Sequence, residues 1–103
     1  MHKVTNENWG AVAKSAQAII EFSAPWCGPC KKQAEVISEF EKNHSISVGN
    51  IDIEESCEIA ERFKVKSVPT IVLLEDGQEK SRLEGFQTMQ KLQQMMQVTQ
   101  IAS

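Results

Sequence analysis

Apolar residues along this 103-residue chain recur at two different spacings, and the switches between the two mark out the elements. Ala18-Ile19-Ile20-Glu21-Phe22 is short, β-prone and apolar, which predicts a strand over Ala18 to Ser23. Cys30, Ala34, Ile37 and Phe40 then fall at helical spacing and form one stripe, so a helix runs from residue 27 to about Asn43. From Ile46 to Ile53 the apolar residues occupy both parities, first Ile46 and Val48, then Ile51 and Ile53. That pattern suits a central strand covered on both faces. Thr70 to Leu74 and a polar strand near Lys80 to Leu83 flank Asp76-Gly77, a strong hairpin signal. The charges of the second arm suit a sheet edge. A very short strand near Lys3-Val4, a first helix over Asn6 to Ser15, a short helix over Ser56 to Phe63 and a last helix with Met89, Leu92 and Met96 on its apolar face complete the set. Strands that alternate with helices and end in a hairpin predict an α/β fold, a central mixed β-sheet flanked by helices on both faces.

Composition narrows the class. The length suits one domain spanning 1–103, and 41% apolar content supplies one modest core. No linker, repeat or Pro/Ser-rich stretch divides it. The formal charge of −3 includes no basic block, which argues against nucleic acid as a partner. The longest apolar run is Ile71 to Leu74, far short of a membrane span, and Met1-His2-Lys3-Val4-Thr5 lacks the apolar core of a signal peptide. Three cysteines with a single Cys-x-x-Cys argue for a reducing compartment, and a cytoplasmic monomer is expected.

The chemistry concentrates in Cys27-Gly28-Pro29-Cys30. The spacing lets the sulfurs reach one another, so the chain can alternate between dithiol and disulfide. The motif stands where the strand gives way to the helix, with Cys27 at the helix mouth and Cys30 one turn inside. Only a thiolate attacks a disulfide, and an ordinary cysteine of pKa about 8.5 is roughly 3% thiolate at neutral pH. Lowering that pKa by about two units needs about 2.7 kcal/mol. A helix N-terminus supplies about 0.3–2 kcal/mol, so unpaired first-turn N–H groups and the Cys30 thiol must add the rest. Pro29 suits the first turn because it has no N–H to orphan. Gly28 removes bulk beside the sulfur. These residues make Cys27 the nucleophile and Cys30 the resolving thiol. The competing reading is half of a zinc site; a structural site needs four ligands, and Cys57, His2 and His44 are scattered without ligand spacing. No metal is expected.

Trp26-Cys27-Gly28-Pro29-Cys30-Lys31 resembles the active-site motif of the thioredoxin family. Val68-Pro69-Thr70 resembles its cis-proline segment, Glu75-Asp76-Gly77-Gln78 a family hairpin turn, and Gly85 the glycine after the last strand. The likeness runs from about Val4 to Val98. It implies the thioredoxin fold and a protein dithiol–disulfide oxidoreductase with no bound cofactor, its electrons held on the Cys27–Cys30 pair. Client proteins with disulfides, and a thioredoxin reductase of the NADPH-dependent flavoprotein kind, are the implied partners. Trp26, Val68, Pro69, Thr70 and Gly85 are the implied client-contact residues. A rival reading keeps the same Trp26, Val68 and Gly85 surface as a non-enzymatic binding module; the intact dithiol speaks against it.

Glu21 divides the two lines of reasoning. A mid-strand glutamate ordinarily faces solvent, whereas the resemblance places here the buried acid that exchanges protons with the resolving cysteine. Burial would raise its pKa. The chain departs from the family by one methylene at this position, by Asn50 where a lysine is frequent, and by Glu35 where a helix-kinking proline stands, which predicts a straighter helix. Trp9 is assigned to the core. Cys57, spaced between Ile53 and Ala60, is assigned as a buried small hydrophobe, with a regulatory thiol as the alternative should it be exposed. Gln90, Gln93, Gln94 and Gln97 read as a solvated helix face.

Overall fold

The structure, a computed structural model, describes the backbone of residues 1–102 and the side chains of residues 1–96. The elements are β1 (His2–Lys3), α1 (Trp9–Ala13), β2 (Gln17–Ser23), α2 (Gly28–Asn43), β3 (Ser47–Asp52), α3 (Cys57–Arg62), β4 (Thr70–Glu75), β5 (Gln78–Glu84) and α4 (Met89–Ala102). The strands form one sheet in the order β1-β3-β2-β4-β5. β1 and β2 run parallel to β3, whereas β4 is antiparallel to both β2 and β5. The sheet is mixed, as expected, and the polar β5 is an edge.

Alternation along β2 explains the two layers. Ala18, Ile20 and Phe22 point to one face, where Val12 of α1 and Ile59 and Ala60 of α3 pack with them. Ile19 points to the other, joining Ile37 and Phe40 of α2 and Leu92, Met95 and Met96 of α4. Glu21 has the parity of Ile19 and therefore lies under α2. Val48 of β3 packs in the second layer and Ile51 in the first, so this strand is covered on both sides. Trp9 packs partly buried against the first layer, edge-on to Phe63 at 5.5 Å.

The β4–β5 hairpin closes over Asp76 and Gly77, both at positive φ (52° and 79°), the primed turn that matches strand twist. A Cβ on Gly77 would stand 2.7 Å from the Ala13 carbonyl oxygen, so the turn also docks against α1.

Three expectations need correction. The first helix is shorter than Asn6 to Ser15, because Thr5 and Asn8 tie residues 5–8 into a turn: Asn8 Oδ1 accepts the Thr5 N–H at 2.7 Å and Thr5 Oγ1 the Glu7 N–H at 3.2 Å. Cys57 is exposed, not buried. Ile53 lies in the turn before α3, so the spacing from Ile53 to Cys57 crosses a loop and defines no shared face; the buried residues of α3 are Ile59 and Ala60. In α2, the stripe includes the fully buried Gln33, while Ala34 is only half-buried. α2 runs unbroken through Glu35 to Asn43. Gln90, Gln93 and Gln94 are exposed, and the side chain of Gln97 lies outside the described residues.

Candidate active site

The site is built at the C-terminal end of β2. The Cys27 N–H donates to the Ala24 carbonyl at 3.1 Å, closing a turn over Pro25 and Trp26 that delivers Cys27 to the N-cap of α2. Gly28 and Pro29 occupy the first two helical positions, and Pro29 has no donor to leave unpaired. The Cys30 N–H, free of any helical acceptor, donates instead to Cys27 Sγ at 3.2 Å. One sulfur thus receives a main-chain donor at the positive end of a 16-residue helix. Cys27 and Cys30 are disulfide-bonded with Cα atoms 5.4 Å apart. Each is only 4% exposed, so exposure does not distinguish them; the amide at Cys27 Sγ does. A Cβ on Gly28 would meet open space, which leaves the approach to the pair clear.

Val68, Ile53 and Ala24 pack around the two sulfurs. The Val68–Pro69 bond is cis, and the Pro69 carbonyl accepts the N–H of Gly85 at 2.8 Å, with Gly85 at φ 83°. Thr70 is fully buried and its hydroxyl donates to the Ser67 carbonyl at 2.7 Å, so its side chain holds the proline segment from beneath. Trp26 stands 68% exposed, its indole N–H donated to Glu54 Oε2 at 2.8 Å. Asp52 Oδ1 in turn accepts the backbone N–H groups of Glu54 and Glu55, at 2.8 and 3.2 Å. Glu54 was not singled out by sequence; a turn glutamate far from Trp26 in the chain gives no periodic signal.

Glu21 is fully buried, as the resemblance implied and against the ordinary expectation for a strand glutamate. Burial pushes its carboxyl up to about 7, and the hydrogen bond from Asn50 opposes that rise. Asn50 stands opposite Glu21 on the parallel neighbour and donates through Nδ2 to Glu21 Oε1 at 3.1 Å and to Ser23 Oγ at 2.9 Å. Glu21 Oε2 has no hydrogen-bond partner among the described residues. A cavity of about 420 Å³ lined by Ser23, Ala34, Asn50 and Asp52, among others, opens beside this network. Among the described residues no three His, Cys, Asp or Glu side chains are grouped to hold a metal ion, and no helix is long and apolar enough to cross a membrane.

A bridged cysteine pair at a helix N-terminus, packed beside a cis-proline segment, defines a thiol–disulfide oxidoreductase site. The thioredoxin family model matches residues 1–98. Thioredoxin of Bacillus subtilis is 33% identical over 96 residues, covering 91% of this chain and 92% of that protein. The solved Plasmodium falciparum thioredoxin superposes with a TM-score of 0.86 at 26% identity, covering 94% of this chain and 97% of that one. A chain solved in a study of thiol resolution in yeast mitochondrial 1-Cys peroxiredoxin via the glutathione/thioredoxin systems matches at 27% identity and a TM-score of 0.84, over 94% and 93% of the two chains. The chain belongs to the thioredoxin family. It has the thioredoxin fold, and it acts as a protein-disulfide reductase through the redox-active Cys27–Cys30 pair.

Proposed function

We propose that Cys27 is the attacking thiolate, Cys30 the resolving thiol and Glu21 the proton partner of Cys30. The carrying observation is the Cys30 N–H directed at Cys27 Sγ, a donor that stabilises charge on that sulfur and on no other. Cys27 attacks the client disulfide, forming a mixed disulfide and releasing one client sulfur as thiolate. Cys30 gives its proton to the Glu21 carboxylate, directly or through water, and attacks Cys27 Sγ. The second client thiolate leaves, and the Cys27–Cys30 disulfide closes. Two electrons have passed from the pair to the client. A carboxyl near pKa 7 suits this transfer, since it is present in both forms at neutral pH.

Pro29 and Gly28 tune the pair, one by removing a competing donor and the other by leaving the approach open. Trp26, Val68, Pro69, Thr70 and Gly85 form the client-contact segment, with Thr70 acting from beneath it. The partners are disulfide-containing proteins, peroxiredoxins among them, and a thioredoxin reductase that returns the electrons, of the NADPH-dependent flavoprotein kind. Residues 1–103 form one domain that works as a monomer in the cytoplasm, a reading supported by one sheet that gathers every strand among the described residues and by an exposed free thiol suited to a reducing compartment. Insulin reduction coupled to NADPH and a thioredoxin reductase tests the assignment. The double variant Cys27→Ser, Cys30→Ser is expected to bind clients and to reduce none; residual reduction would transfer the chemistry elsewhere.

A further inference from the structure

Gln33 lies one turn beyond Cys30 on α2 and is fully buried. Both ends of its amide are used on a single distant residue: Nε2 donates to the Gln87 carbonyl at 3.0 Å, and Oε1 accepts the Gln87 N–H at 2.6 Å. The Gln87 side chain donates in turn to the carbonyls of Glu84 and Gly85, at 3.0 and 3.1 Å. Gly85 is already fastened to Pro69. The segment after β5 is therefore pinned on one side to the cis-proline segment and on the other to the helix that carries Cys30. Between the pins stands Phe86, 46% exposed. With Gly28, Pro29 and Lys32 it lines a groove of about 670 Å³ beside the cysteine pair.

An apolar side chain at this site would spare the cost of burying an amide but would leave the Gln87 N–H and carbonyl without the partner that Gln33 gives them. What the amide adds is a fixed distance between α2 and the Phe86 segment. The groove it spans has two apolar walls, Phe86 and Pro29, and a cationic rim at Lys32, which is exposed and makes no ion pair among the described residues. That chemistry suits a large apolar side chain followed by a carboxylate. We propose that Gln33 is a positioning residue that sets the width of this groove, and that the groove selects client segments carrying a large apolar residue and an acidic residue beside the attacked cysteine. The proposal rests on Cys27 as the attacking sulfur and adds the client class it prefers.

The probes are two matched peptide disulfides, one with Leu and Glu next to the cysteine and one with Ala and Gln, and a small aromatic disulfide that offers no polypeptide to the groove. The intact protein is expected to favour the Leu–Glu peptide by about tenfold in kcat/KM, the scale on which an apolar pocket discriminates. Gln33→Met and Phe86→Ala should each reduce that preference to less than about twofold, by raising KM and leaving kcat. The double variant should be no worse than either single, the non-additivity of two residues serving one wall. All should reduce the small disulfide at the same rate. A preference that survives in Gln33→Met, or a parallel loss on the small disulfide, would make Gln33 a packing residue only. If Gln33→Met does not fold, the exposed Phe86→Ala decides, and a retained preference overturns the proposal. Wild-type protein that reduces none of the three disulfides would sink the oxidoreductase reading itself.

Discussion

Cys27 follows β2 and Cys57 follows β3, each at the point where a parallel strand gives way to a helix. The two thiols share residue type and topological place, yet their surroundings differ at every step. Cys27 caps a helix of 16 residues, receives the Cys30 N–H and is bridged to a second sulfur three residues on. Cys57 is the first residue of a six-residue helix, and Ala60 stands where a partner sulfur would be. Cys27 is almost covered, by Ala24, Ile53 and Val68, while Cys57 is open to solvent. Accessibility is thus the wrong guide to this chemistry. A partner at the right spacing and a donor aimed at one sulfur distinguish the redox site, and only the first junction has them.

The largest effect that breaks the comparison is loss of the nucleophile. Cys27→Ser should drop insulin reduction below about 1% of wild type, because the proposed roles give the mixed disulfide to Cys27. Cys57→Ser should leave the rate unchanged. A substantial loss in Cys57→Ser would mean that the second junction shares the work.

The next effect concerns the acid under α2. The folded-state pKa of Glu21 lies near 7, above its ordinary 4.5, because burial disfavours the charged form. Protonated Glu21 therefore costs little at low pH, and stability falls as pH rises from about 4.5 through 7. The difference amounts to at most about 3 kcal/mol, at about 1.4 kcal/mol for each pH unit. Glu21→Gln removes the titration, so its stability curve should flatten over that range and lie above wild type at pH 8 in urea unfolding. The same change should slow insulin reduction by about tenfold, through loss of the acceptor for the Cys30 proton. Turnover that stays at the wild-type rate across pH would reduce Glu21 to a buried strand residue.

Much of this was legible in the residues. β2, α2 and the hairpin carry strong periodic or turn signals, and Cys27, Cys30 and Asp76-Gly77 announce themselves by type and spacing, whereas Pro69 was legible only through the family resemblance. Cys57 was misplaced because periodicity counts positions without knowing where a helix begins, and Ile53 belongs to the turn before α3. Gln33 fell on the inner face of α2, three residues after Cys30 and four before Ile37, but its polarity hid it, since no pattern of apolar residues marks a buried amide. Its partner Gln87 is 54 positions away, and the pairing exists only through the crossing of α2 with the segment after β5. Glu54 and Phe86 were invisible for the same reason: each acts on a neighbour that topology supplies. Local chemistry is written locally, and its supports are not.

The central claim is the division of labour between the two sulfurs, and trapping tests it most directly. With Cys30→Ser the mixed disulfide cannot be resolved internally, so client proteins should accumulate as covalent adducts on Cys27, released by dithiothreitol and mapped to that residue by mass spectrometry. Cys27→Ser should trap none. Adducts that form through Cys30 in the Cys27→Ser variant, at a rate matching the converse, would invert the assignment and contradict the role given to the Cys30 amide.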